Sequence, residues 1–179
     1  MSSNSPTSFR RERFLDAPDA PARRLLALLL AQDGSTTRLC ETIAGGPITL
    51  QLLHQAPTGE VPALVRESLP GTRFIERITS LCAHGEVMMD NLTYIALDGL
   101  EASLQRDLEA GELPIGHLLA RLWVRREAVT GAEALQERLW RAVGMPDATA
   151  TRAYRILTPE GPRMLIAETY RRGMRMERP

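Results

Sequence analysis

The chain has 179 residues, 44% of them hydrophobic, and its 22 basic residues balance 22 acidic ones for a formal net charge of zero. That length and apolar content suit one domain around one core. Balanced charge offers no clustered basic face, and 4% aromatics leave little to stack on bases, so nucleic acid is not an expected partner.

Residues 1–20 are rich in Ser, Pro, Arg and Asp and are expected to form a flexible N-terminal tail ahead of a single domain over 21–179. A helix is expected from Ala20 to Gln32, stopped by Asp33-Gly34. Its apolar run after Arg23-Arg24 starts late for a signal peptide and lacks a small-x-small cleavage site. It is also far shorter than the roughly 20 residues of a bilayer span. A buried helix of a cytoplasmic, non-membrane protein is therefore expected. Ser35 suits the N-cap of a second helix, Thr36 to Ala44, ended by Gly45-Gly46.

Pro47 to Gln55 reads as a strand, and Ala63 to Ser68 as a further extended stretch. Arg73 to Cys82 and Val87 to Leu97 form the clearest hairpin, turning at Ala83-His84-Gly85-Glu86. Helices are expected at Leu100 to Leu108, Pro114 to Trp123 and Ala132 to Val143. A closing hairpin pairs Thr151 to Leu157 with Arg163 to Arg171 around Thr158-Pro159-Glu160-Gly161. Hairpins dominate and no strand–helix–strand unit repeats. The expected class is α+β, an antiparallel sheet with helices packed on it.

Strand residues alternate faces. On the last strand Met164, Ile166, Glu168 and Tyr170 share the more apolar face, which sets Glu168 in a core-facing row. A buried carboxylate needs a partner or its proton. A pocket, a buried salt bridge and a sheet edge open to water all satisfy that need. Arg77 shares a face with Arg73, Ile75, Thr79 and Leu81, and both faces of its strand mix polar and apolar residues. It is read either as an inward clamp for an anion, as a partner of Glu168, or as exposed. Together Arg77 and Glu168 are the candidate anchors of one small anion-binding pocket.

Other residues carry less. Cys40 and Cys82 are expected as buried free thiols. His54, His84 and His117 lack metal-ligand spacing, so no metal is expected. The methionines and both tryptophans are read as core, and Arg125-Arg126 and Arg171-Arg172 as solvated pairs.

Four segments occur in register: Asp33-Gly34-Ser35-Thr36-Thr37-Arg38, Arg77 through Glu86, Leu113-Pro114-Ile115-Gly116, and Leu165-Ile166-Ala167-Glu168. Over roughly residues 22–172 the chain resembles the chorismate pyruvate-lyase (4-hydroxybenzoate synthase) family. It departs from that family's ubiquinone-pathway branch at Ser35, where that branch carries Met. The resemblance implies a six-stranded antiparallel sheet with helices on one side, and a closed cavity under helical flaps. It implies a carbon–oxygen lyase that needs no cofactor and acts on a small cyclic acid, and a pocket enclosed within one chain needs no partner, so a monomer is expected. It assigns Arg77 to the ring carboxylate, Glu168 to the para hydroxyl, and the backbone amides of Ser35 and Ile115 to holding the carboxylate. A related lyase or dehydratase acting on another small acid, and a non-catalytic ligand-binding protein, remain alternatives.

Overall fold

The computed structural model describes residues 8–15, 19–120 and 122–175. In chain order the elements are α1 (Ala20–Ala31), α2 (Thr36–Ala44), β1 (Thr49–Thr58), α3 (Ala63–Ser68), β2 (Phe74–Ala83) and β3 (Glu86–Ala96). There follow α4 (Ala102–Ala110), α5 (Ile115–Leu119), β4 (Arg125–Ala128), α6 (Glu133–Val143), β5 (Thr151–Thr158) and β6 (Gly161–Tyr170). One six-stranded antiparallel sheet runs in the order β1-β2-β3-β6-β5-β4.

Local chemistry sets most of these boundaries. The Asp19 side chain accepts from the Ala22 amide to start α1, and Ser35 accepts from the Arg38 amide to start α2. Gly45, at φ 71°, closes α2 in the left-handed region. The β2–β3 turn puts His84 at φ 50° and Gly85 at φ 79°, the conformation a tight two-residue hairpin needs.

Two expected elements are corrected. Ala63–Ser68 is a helix, not an extended stretch: Val65 and Leu69, four residues apart, are both buried in the same apolar cluster. The helix expected to run to Trp123 stops at Leu119, and the chain then forms β4, for which the sequence shows no strand signal. The sequence Arg125-Arg126-Glu127-Ala128 has no β-branched residue. It is held by its neighbour: Glu127 lies opposite Arg155 of β5, whose Nε is 2.6 Å from Oε2.

The main group of helices, α1, α2, α4 and α5, lies on one side of the sheet. Leu26, Leu29 and Cys40 pack there with Leu81, Met89 and Tyr170, and Leu108, Leu118 and Leu119 with Ile75, Ile95, Ile156 and Ile166. On the reverse face the short α3 and α6 cover Phe74, Ile78, Leu92 and Leu165. With both faces covered, all ten residues of β2 are buried. Within the expected tail, residues 8–15 lie against the sheet: Phe14 is buried, and Arg10 and Arg13 bridge to Glu86 and Arg171. The rest of that tail up to Pro18 lies outside the described residues.

Several surface assignments also change. Arg171 is fully buried, 2.7 Å from Asp90, whereas Arg172 is exposed and pairs with Glu12. Trp123 is 66% exposed rather than in the core. Cys40 and Cys82 are free and buried, and burial raises both thiols above their ordinary range, Cys82 to about 12.

α5 meets the N-terminal turn of α2 at Gly116, where a Cβ would lie 2.3 Å from Thr37 Oγ1 and 2.7 Å from Thr37 Cβ. Thr37 is buried and stiff at χ1, so it cannot yield. Gly116→Ala is expected to destabilise the protein by about 1–3 kcal/mol, read as a lower denaturant midpoint at unchanged slope. An unchanged midpoint would show that the two helices do not need this close approach.

Candidate functional site

Register places a polar row across the covered face of the sheet: Thr79 faces Asn91, Asn91 faces Glu168, and Glu168 faces Arg152. Glu168 is fully buried. Its Oε1 lies 2.7 Å from Arg152 Nε, 2.6 Å from Arg152 Nη2 and 3.0 Å from the Thr36 hydroxyl, which donates to it. The Tyr170 hydroxyl sits 3.0 Å from Oε1 and 2.9 Å from the Leu29 carbonyl, and can donate to one at a time. Among the described residues Oε2 receives one bond, from the Tyr154 hydroxyl at 3.0 Å. Each carboxylate oxygen can accept about two, so Oε2 is the oxygen with capacity to spare.

Of the alternatives open for Glu168, a buried ion pair is present, and the same carboxylate also lines a cavity. Burial first, and then the charge of Glu168, push the Tyr154 and Tyr170 hydroxyls well above their usual range and keep them donors. Burial, the largest single influence, would lower Arg152, but Glu168, Tyr170 and Tyr154 together outweigh it and the net shift is upward. Arg152 is also anchored on the Leu30 and Gln32 carbonyls at the end of α1, and its guanidinium sits 5.0 Å from the Tyr154 ring centroid.

Arg77 points to the same side of the sheet. It faces Thr93, whose partner across the next strand is Ile166, two residues from Glu168. Two strand spacings and two residues separate the Arg77 and Glu168 backbones by roughly 12 Å. Arg77 is 1% exposed. Its Nη2 donates to the carbonyls of Gly111 at 3.0 Å and Leu113 at 2.8 Å, on the segment joining α4 to α5. Its Nε and Nη1 are buried and find no partner among the described residues. Burial pushes its guanidinium below its ordinary value, with no carboxylate to offset that. Arg77 is thus neither the partner of Glu168 nor exposed.

Glu168 borders a cavity of about 30 Å³, room for only one or two waters. Glu168, Thr36, Thr79, Asn91 and Tyr154 give its polar wall, and Ile115, Leu119, Ile156 and Ile166 its apolar one. Of the residues named from the sequence, Glu168 and Ile115 line it. Arg77 adjoins it through Leu113, next to the lining residue Pro114. Ser35 caps α2, one residue before the lining residues Thr36 and Thr37. His117 Nε2 lies 2.8 Å from Glu41 Oε1 and ties α5 to α2 over the site.

The sequence reading missed Arg152, Tyr154 and Arg126. Arg126, read as solvated, is partly buried and lines the cavity. Pairing across the last hairpin points to this stretch of β5, but counted from the turn it gives Thr151 in place of Arg152. Among the described residues, no group of three or more His, Cys, Asp or Glu side chains is placed to hold a metal ion.

A search of curated proteins finds no match. Among solved structures, gene product SA0254 of Staphylococcus aureus is 12% identical, with 71% of this chain and 85% of that chain covered and a TM-score of 0.43. A GntR-family transcriptional regulator of Enterococcus faecalis is also 12% identical, covering 73% and 98%, with a TM-score of 0.41. At these values neither bears on ligand or activity. The profile of the Rv2949c-like chorismate pyruvate-lyase family matches residues 30–177. With the greater part of its length inside that match, this chain belongs to the Rv2949c-like chorismate pyruvate-lyase family.

Proposed function

We propose that this protein is a chorismate pyruvate-lyase, converting chorismate to 4-hydroxybenzoate and pyruvate in the cavity beneath α2 and α5. The observation that carries the reading is Arg77: a fully buried guanidinium, two of whose nitrogens have no partner among the described residues, on the sheet face that bears Glu168. An arginine fork in that state suits a carboxylate, and the spare capacity of Glu168 Oε2 suits a hydroxyl. A para-hydroxylated ring acid carries those two groups at opposite ends.

In the reaction the C3–O ether bond of chorismate breaks and the C4 hydrogen leaves as the ring becomes aromatic. The departing enolpyruvyl group gains a proton at its methylene carbon and becomes pyruvate. Atoms balance without an oxidant or a cofactor, and aromaticity drives the step. The task left to the protein is to hold the ring in a reactive pose, which can remove up to about 7–11 kcal/mol of a barrier. Arg77 fixes the carboxylate end, assisted by the Ser35 and Ile115 amides. Glu168 and Tyr154 fix the hydroxyl end.

A six-membered ring does not fit a cavity of about 30 Å³. Entry therefore moves the segment from Gly111 to Gly116 outward. That motion carries the Gly111 and Leu113 carbonyls off Arg77 Nη2 and frees the whole fork for the ligand. Every group in this scheme comes from one chain, so a monomer suffices. No helix among the described residues is long and apolar enough to cross a membrane.

Incubating the purified protein with chorismate should release pyruvate and 4-hydroxybenzoate in equal amounts. Binding without turnover would instead favour a ligand sensor, and no binding would point to another substrate. Arg77→Ala should abolish turnover and weaken 4-hydroxybenzoate binding at least about tenfold, the value of one charge-assisted hydrogen bond. Glu168→Gln should lose most of the rate in protein shown to be folded, and unchanged turnover would remove Glu168 from the mechanism. Stability should separate the two arginines. Arg152→Met strands the buried Glu168 and should cost about 3–5 kcal/mol. Arg77→Met removes a charge that no carboxylate faces and should cost clearly less in denaturant unfolding. Equal losses would make Arg77 a structural residue.

A further inference from the structure

Arg126 is a cavity residue that the scheme above does not use. It sits on β4, the edge strand, opposite Ile156 of β5. Its side chain reaches toward the turn between α1 and α2, where Nη1 donates to the Asp33 carbonyl at 3.2 Å. It lines the cavity together with Glu168, Tyr154 and Ile115. Its Nε is buried without a partner among the described residues. The acid beside it in sequence, Glu127, is taken by Arg155 at 2.6 Å. β4 is held to the sheet by that pair and by its ladder with β5, so Arg126 is not needed for pairing.

Arg126 thus lines the cavity directly, while Arg77 adjoins it through Leu113, next to the lining residue Pro114. Arg77 comes from β2, and Arg126 from β4, three strand positions beyond β3 in the sheet order. Glu168 and Tyr154 stand on β6 and β5 between them. A ligand with one carboxylate and one hydroxyl is fully met by Arg77 and Glu168 and brings nothing to Arg126 Nε. A second carboxylate, attached next to the hydroxyl-bearing carbon, would give it a partner. Arg126 is also partly exposed, so an anion held there lies toward solvent.

We infer that Arg126 is the cavity's second carboxylate-binding residue and selects a cyclic dicarboxylate over a monocarboxylate of the same ring. This rests on the reading of the cavity as the ligand site. If chorismate is the substrate, Arg126 holds the enolpyruvyl carboxylate and is the last residue to release pyruvate. It separates substrate from product by charge: 4-hydroxybenzoate has nothing for it to hold.

The test compares two ligands on the full chain by calorimetric titration. One is 4-hydroxybenzoate. The other is 3-(carboxymethoxy)-4-hydroxybenzoate, an aromatic dicarboxylate that cannot eliminate. In the unmodified protein the dicarboxylate should bind more tightly. Arg126→Gln should weaken the dicarboxylate at least tenfold and change 4-hydroxybenzoate by less than about twofold. Arg126→Lys, which keeps the charge but loses the fork, should fall between them, and it reads the same difference if the Gln variant does not fold. Equal loss for both ligands, or no loss for the dicarboxylate, overturns the inference. Failure of the unmodified protein to bind either ligand overturns it together with the reading of the cavity. Turnover of chorismate is scored separately. An active protein in which Arg126→Gln leaves the KM for chorismate unchanged keeps the lyase reading and loses this one.

Discussion

A carboxylate shut away from water must be surrounded by donors, and the organisation of this protein around Glu168 follows from that need. The donors come from three elements. Arg152 and Tyr154 stand on β5, Tyr170 on β6 with Glu168 itself, and Thr36 at the start of α2. Arg152 extends the network to the Leu30 and Gln32 carbonyls at the end of α1. The first two helices are thereby tied by hydrogen bonds to the last hairpin, far away in sequence. The turn between α1 and α2 forms one end of the cavity roof because Glu168 and Arg152 hold it there.

Arg77 is the opposite case. Glu168 has a paired charge and a donor on each oxygen, whereas Arg77 has two carbonyls and, among the described residues, no carboxylate and two nitrogens without a partner. Structural ion pairs do not look like this, because a buried charge without compensation costs stability. Such a group persists where function requires it. The neighbouring segment from Gly111 to Gly116 holds Arg77 on one side, lines the cavity on the other, and packs on α2 through Gly116. One short connection thus covers the cavity, occupies one nitrogen of the Arg77 fork and touches the helix that caps Glu168.

Much of the fold was legible in the residues because local chemistry decided it. Ser35 and Gly45 bound α2, and His84-Gly85 turns the central hairpin. β4 was not legible, since its strand state comes from pairing with β5 and not from its own residues. The apolar row Met164, Ile166, Tyr170 correctly turned Glu168 inward. Alternation could not orient Arg77, because helices cover both sides of β2 and bury every residue of it. Arg152 escaped for a geometric reason. Counting back from the Thr158–Gly161 pair puts Thr151 opposite Glu168, but a bulge between Ile156 and Leu157 shifts the register by one and brings Arg152 there instead.

The central claim is that Arg77 and Glu168 hold the two ends of one small ring. A crystal structure with 4-hydroxybenzoate bound tests it most directly. The account predicts the ligand carboxylate on Arg77 Nε and Nη1, the hydroxyl on Glu168 Oε2, and the segment from Gly111 to Gly116 displaced outward. A carboxylate resting on Arg126 or Arg152 with Arg77 still bound to Gly111 and Leu113, or a ligand outside the cavity, would contradict it.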